Sequence, residues 1–193
     1  MSHPVPLSRR LLARRSIAAL GALALAPMLT AVPARADTAA EINVGADATL
    51  QRFEAKVQDG RAFLSKASGV LIFPKIVKAG VGIGGEYGEG VLRVGGKSAA
   101  YYSAAAGSVG LQLGAETRSV IIAFLTQEAL AQFRASSGWT AGVDGSVALV
   151  DIGEGGTINT NTIKGPIVYF VFDTSGLMFN LSIEGTKFTR IDR

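Results

Sequence analysis

Residues 69–92 read GVLIFPKIVKAGVGIGGEYGEGVL, and this stretch decides the fold class. Its first five residues, 69–73, are apolar and typical of a short strand that Pro74 ends. Six glycines then fall within residues 80–90. Glycine inside strands marks bulges, sharp bends or the close approach of two backbones. The stretch therefore predicts a bent, glycine-rich β-structure.

Further strands are predicted on both sides of a short helix. Residues 126–135 are typical of that helix, because Thr126 can cap its start and Glu128 suits its first turn. No regular alternation of strands and helices is present, which argues against a parallel doubly wound sheet. We predict an α+β, β-rich fold in which an antiparallel, twisted or barrel-like sheet accompanies an N-terminal amphipathic helix and this short internal helix. The predicted strands are 69–73, 91–94, 99–103, 108–113, 119–125, 139–150, 157–162, 167–172 and 177–191, the last interrupted at Gly185.

The N-terminal helix is expected over residues 47–68. Asp47 is a candidate N-cap and Gly69 a candidate stop signal. The apolar residues that recur at helical spacing are Leu50, Phe53, Val57 and Leu64.

The first 36 residues are typical of a cleavable export signal. A basic segment with two arginine pairs precedes an uncharged stretch, residues 16–33, and a small-x-small site, Ala34-Arg35-Ala36. The uninterrupted apolar run, residues 17–26, is too short to span a bilayer. We predict cleavage after Ala36 and a periplasmic or outer-membrane-associated location, with the Sec and twin-arginine routes both left open.

We predict a flexible leader over residues 37–46 and a single domain over residues 47–193. Residues 1–36 hold five of the 19 basic residues and none of the 15 acidic ones. Residues 37–193 therefore carry 14 basic and 15 acidic residues, net −1. This balance gives no support to nucleic-acid binding.

Composition removes several classes of catalytic site. The chain has no cysteine, and its one histidine, His3, lies in the predicted signal. Thiol nucleophiles, histidine bases and ordinary zinc sites are therefore excluded from residues 37–193, and we predict no catalytic residues, no metal and no cofactor. A hydrolase or oxygen-ligand cation site using Glu86 or Glu89 stays an alternative, although a solvated acidic turn suits these residues better.

Two glycine motifs resemble nucleotide-binding loops. Residues 80–85 match G-x-G-x-x-G, and residues 95–98 end as Gly-Gly-Lys-Ser. A phosphate-binding loop requires a helix directly after it, and strand-like sequence follows both motifs. We predict no nucleotide partner.

Basic residues are concentrated in residues 52–78, which carry a net charge of +4. Arg52 and Lys56 are four residues apart and share one side of the predicted helix. An apolar stripe flanked by cations can lie on an anionic membrane, and the same stripe can instead pack on the sheet with its lysines in water. The candidate lipid-binding residues are Arg52, Lys56, Arg61, Lys66, Lys75 and Lys78.

Several ordered blocks resemble the SYLF domain family, the group similar to yeast actin-binding proteins. They are residues 69–92, 107–117, 139–148, 165–169 and 176–185, and the resemblance spans about residues 47–191. It implies a lipid-binding domain without enzymatic activity, since eukaryotic relatives bind phosphoinositides through an N-terminal amphipathic helix and basic residues. Lys75 and Lys78 fall in the matching Phe-Pro-x-x-x-Lys-Ala-Gly block, where the resemblance places a lipid contact.

The predicted export signal changes what the resemblance implies. An exported copy meets neither actin nor cytosolic phosphoinositides, so we expect it to bind an anionic lipid of a bacterial envelope. The alternative is a structural or protein-interaction module whose partner is an envelope protein recognised by exposed strand edges.

Overall fold

A computed structural model describes residues 36–153, 165–176 and 183–193. The predicted α+β, β-rich fold is confirmed. The helices are α1 (Ala39–Lys56), α2 (Gly60–Ser65) and α3 (Gln127–Ala135). The strands are β1 (Gly69–Val94), β2 (Lys97–Phe124), β3 (Trp139–Thr140), β4 (Ala148–Asp151), β5 (Ile167–Gly176) and β6 (Lys187–Ile191).

The first helix begins earlier than predicted. Its N-cap is Thr38, whose side chain accepts from the Glu41 backbone while the Glu41 carboxylate accepts from the Thr38 backbone, a capping box. Residues 39–46 of the expected leader are therefore helical, and Asp47 is not a cap but pairs with Arg93 at 2.6 Å. The helix also ends at Lys56, because Asp59 adopts φ 61° and separates α1 from α2.

The sheet is organised by β2, which pairs with three other strands. β1 runs antiparallel to it along almost its whole length, from Gly69 opposite Phe124 to Val94 opposite Lys97. On the other edge, residues 116–124 pair with β5 and residues 101–105 pair with β6. The sheet is mostly antiparallel, as predicted, but β4 pairs with β5 in parallel.

The short strands expected between residues 69 and 125 are parts of two long ones. Pro74 does not end a strand; it lies at a register shift between Phe73 and Ile76, where proline's missing N–H is tolerated. Of the strand expected over residues 139–150, only β3 and the start of β4 are formed. The strand expected at 157–162 and the first part of that at 177–191 lie outside the described residues.

β1 folds back against itself at Gly82, which has φ 72°. A Cβ on Gly90 would lie 2.4 Å from the Ile72 carbonyl oxygen, and one on Gly88 would lie 2.6 Å from that of Lys75. The two halves of β1 thus touch through their backbones, which confirms the close approach and the sharp bend predicted from the glycines.

Two hydrophobic clusters occupy the two faces of the sheet. Alternate β5 residues divide between them, with Tyr169 on one side and Phe170 on the other. α3 covers the first face, where Phe133 packs on Trp139 with ring centroids 5.7 Å apart, and Trp139 is buried in this core. α1 and α2 cover the second face.

Candidate functional site

The apolar stripe of α1 is buried in the protein. Ile42, Ala46, Thr49 and Phe53 face the sheet, and the Phe53 ring lies 5.0 Å from that of Phe170. In this packed state the stripe is not available to a membrane, so the helix matches the alternative in which an ordinary amphipathic helix covers a sheet. The structure shows α1 in this packed arrangement, and contact of its stripe with a membrane stays a prediction.

The basic residues of the two helices are held by intramolecular ion pairs. Arg52 Nε lies 2.7 Å and Lys56 Nζ 3.2 Å from the two carboxylate oxygens of Asp173. Arg61 Nη2 lies 2.6 Å from Glu54 Oε2. Their side chains stay partly exposed, so these cations are neutralised but not hidden.

Asp173 connects α1 to the end of β5. Burial by itself would raise the pKa of this carboxyl, but hydrogen bonds and charge from Arg52 and Lys56 outweigh burial and lower it. Its backbone has φ 54°, a conformation that aspartate and asparagine tolerate better than most residues.

We expect this contact to make stability depend on acid pH. Because the pKa of Asp173 is lowered on folding, its contribution is present above the ordinary value of 3.8 and is lost as the pH falls through and below that value. Asp173→Asn should cost up to about 1 kcal/mol at neutral pH, a cost that shrinks as the pH falls below 3.8. Urea unfolding at several pH values checks this, with the exposed Asp192→Asn as control. A cost independent of pH would contradict it.

The other three predicted lipid-binding residues, Lys66, Lys75 and Lys78, do not form one site. Lys66 and Lys75 are exposed, whereas Lys78 is buried. Lys75 and Lys78 are three apart in β1, so their side chains leave opposite faces of the strand. The structure thus separates the two lysines that the resemblance placed at one lipid contact.

The outer face of the bend in β1 is unexpectedly apolar. Every odd-numbered residue from 75 to 87 is exposed, and Ile83 lies directly opposite Val109 of β2. The apolar side chains in this row are between 40% and 85% exposed. We call this surface the outer ridge, and it consists of Lys75, Val77, Val81, Ile83, Tyr87 and Val109.

The outer ridge has no exposed acidic neighbour on its own two strand segments. Within residues 75–88 and 105–117 the acidic residues are Glu86 and Glu116, and both are buried. Lys75 is therefore the exposed charge on this part of the hairpin, in the residues whose side chains the structure describes. An exposed apolar row of this kind is a candidate interaction site.

The inner face of the same hairpin carries buried charges. Arg118 donates to Glu86 Oε2 at 2.5 Å and to Glu116 Oε1 at 3.1 Å, and all three side chains are at most 5% exposed. Thr186 donates to the other oxygen of Glu86 at 3.1 Å. Burial raises the pKa of the neighbouring Tyr169 hydroxyl.

Glu89 belongs to a different group from Glu86. It accepts two hydrogen bonds from Arg193 and one from the Tyr87 hydroxyl at 2.7 Å. Burial would raise the pKa of Glu89, but the bonds from Arg193 and Tyr87 outweigh it and lower the pKa. Burial, with the bond to Glu89, raises the pKa of Tyr87 to about 12.

The hydrolase alternative required Glu86 and Glu89 to act together, and these contacts hold them apart. Glu86 and Glu89 are not a pair at a solvated turn, since each is buried and bound to its own arginine. Across residues 36–153, 165–176 and 183–193, no three acidic, histidine or cysteine side chains converge as metal ligands would.

A cavity of about 340 Å³ lies among α1, α2 and the two ends of β1. Its walls include Leu50, Leu64 and Ile72, and Arg61 and Arg93 contribute its positive charge. Of the six predicted lipid-binding residues, only Arg61 lines this cavity, so the cavity is not a common site for them.

The outer ridge was not predicted from the sequence, because its apolar side chains point to solvent while the charged side chain of Glu86 points inward. A strand with one buried face usually places its apolar residues inside, whereas here Val81 and Ile83 point outward and Glu86 inward. The period-two pattern of Val77, Val81 and Ile83 was a usable signal, but only a known strand direction tells which side it faces.

Comparison with known families supports a binding domain. Residues 105–192, from within β2 to beyond β6, match the Ysc84 family, described as Las17-binding protein actin regulator. This is the SYLF domain family, and the match confirms the resemblance seen in the sequence over residues 105–192. The family is not a known enzyme family and fits a non-enzymatic binding module.

A search of the curated proteins finds no match. Within the described part of the chain, no helix is both long enough and apolar enough to cross a membrane.

Proposed function

We propose that this SYLF protein binds anionic phospholipid at the bacterial cell envelope, after export and removal of residues 1–36. The observation that carries the proposal is the outer ridge, where aliphatic side chains of Val81, Ile83 and Val109 are each at least 74% exposed. The association of the family with lipid supports the same class of ligand.

The ridge has the chemistry of an interfacial anchor. Aliphatic side chains gain about 25 cal/mol for each Å² of apolar surface removed from water. Lys75 at the edge adds about 1 kcal/mol near an anionic surface. The occupant that this combination fits is an anionic bilayer.

The predicted basic residues take a secondary part in this proposal. Lys66 is exposed, and Arg61 has 83% of its side chain exposed despite its ion pair. Lys78 is removed from the set, because reversing the charge of a buried residue would disturb folding instead of reporting on lipid.

The test is co-sedimentation of residues 37–193 with neutral or anionic vesicles at low and high salt. The double variant Val81→Asp/Ile83→Asp should lose at least tenfold in affinity, since about 1.4 kcal/mol corresponds to that factor. Lys75→Glu should weaken binding to anionic vesicles at low salt and have little effect at high salt.

A matched control is available elsewhere on the surface. Val44 and Val143 are 70% and 77% exposed and lie outside the ridge. Val44→Asp/Val143→Asp should leave vesicle binding unchanged. Equal losses in both double variants would refute a ridge-specific contact. Absence of any vesicle binding would favour the envelope-protein alternative, which a pull-down from envelope extract in detergent and high salt then tests.

A further inference from the structure

The face that carries the outer ridge continues sideways across the sheet. Tyr87 of the ridge lies directly opposite Ala105 of β2, and Ala105 lies directly opposite Lys187 of β6. Side chains of directly opposite residues leave the same face of a sheet. All three residues are exposed. Lys187 therefore lies on the face of the ridge, two strand spacings or about 10 Å from Tyr87.

The neighbours of Lys187 on β6 confirm the face to which it belongs. Phe188 lies opposite Ala104, and both belong to the hydrophobic cluster that α3 covers. Arg190 lies opposite Tyr102, which is buried in that same cluster. Because successive side chains of a strand alternate between faces, Lys187 and Arg190 leave β6 on opposite sides. The two are exposed cations of one strand, and only Lys187 shares the face of the ridge.

The charge of Lys187 is available to an anion. Its side chain lies over Gly138, where an added Cβ would come 2.5 Å from Cε and 3.3 Å from Nζ. Among the residues that the structure describes, Lys187 forms no ion pair, in contrast to the basic residues of α1 and α2. Glu89, which follows Tyr87 on the same face of β1, is already bound by Arg193.

We propose that Lys187 is a headgroup contact of the outer ridge, so that the lipid-binding surface spans β1, β2 and β6 and favours anionic over neutral bilayers. The inference rests on the proposed function and adds a residue to it. Aliphatic side chains gain from entering any bilayer, whereas a cation gains from an anionic surface. Lys187 lies 100 residues after Tyr87, so only the strand pairing brings the two onto one surface.

The experiment removes one charge from the ridge face of β6. Residues 37–193 are sedimented with vesicles of phosphatidylcholine, alone or mixed equally with phosphatidylglycerol. Lys187→Gln should bind the anionic vesicles about fivefold less tightly at low salt, the factor that one cation near an anionic surface supplies. The loss should fade at high salt, and binding to neutral vesicles should change little. Lys187→Arg keeps the charge and should bind like the unchanged protein.

Arg190→Gln is the matched control, because it removes the same charge from the opposite face of the same strand. An equal loss in Arg190→Gln, or a loss in Lys187→Gln that is as large on neutral vesicles, would overturn the inference. If Val81→Asp/Ile83→Asp weakens binding and Lys187→Gln does not, the inference fails while the proposed function stands. If the unchanged protein binds neither kind of vesicle, both fail.

Discussion

Arg118→Met should lower the free energy of unfolding by about 3–5 kcal/mol, because it leaves two buried carboxylates without their cation. Arg118 contacts both Glu86 and Glu116, and its own side chain is 1% exposed. Methionine fills much of the same volume, so the loss reports on charge more than on a cavity. Urea denaturation followed by the fluorescence of buried Trp139 measures it.

Two comparisons make this result interpretable. The exposed Arg134→Met on α3 should change stability by no more than about 0.5 kcal/mol. Adding Glu86→Gln and Glu116→Gln to Arg118→Met should recover part of the loss, since neutral amides are less costly to bury than unpaired carboxylates. A mild effect of Arg118→Met alone would show that water reaches this cluster.

The sequence predicted the classes of structural element better than the partners of the charged side chains. Thr126 and Glu128 identified α3, and the glycines predicted the bend in β1. Patterns of this kind depend on neighbours within a few residues. The Arg118–Glu86 contact joins residues 32 apart, and no local pattern distinguishes a charge that will be buried from one that will be solvated.

The start of α1 was predicted too late, at Asp47, although the sequence carries a signal for the earlier start. Thr38-Ala39-Ala40-Glu41 fits the capping-box pattern, a threonine followed three residues later by glutamate. We predicted the start at Asp47 because small residues before it resembled a leader, although Ile42 and Ala46 continue the buried stripe.

The predicted lipid-binding residues also show that closeness in sequence does not ensure a common surface. Six cations clustered in sequence were expected to act together, but three of them pair with Asp173 or Glu54 and Lys78 is buried. Clustering in sequence becomes a common surface only where the backbone direction allows it. In β1 the alternation of faces separated Lys75 from Lys78.

Gly90→Ala should destabilise the fold by about 3 kcal/mol or more, the upper end of what overpacking costs. The added methyl would lie 2.4 Å from the Ile72 carbonyl oxygen and 2.7 Å from a ring carbon of Phe73. A backbone oxygen within a paired strand cannot move aside as a flexible side chain can. The added methyl therefore has to push the two halves of β1 apart.

Gly107→Ala provides the matched control for this substitution. Gly107 also lies within a long paired strand and has no positive φ, but a Cβ there meets no atom within 4 Å. Alanine should be neutral at this position, or stabilising by about 0.5–1 kcal/mol because glycine loses more conformational freedom on folding. Urea unfolding of both variants compares the two sites. A similar small effect at both would mean that the halves of β1 are not in backbone contact. A loss confined to Gly90→Ala would show that the glycine is required by the fold of β1, because the two substitutions add the same methyl group to the same kind of strand.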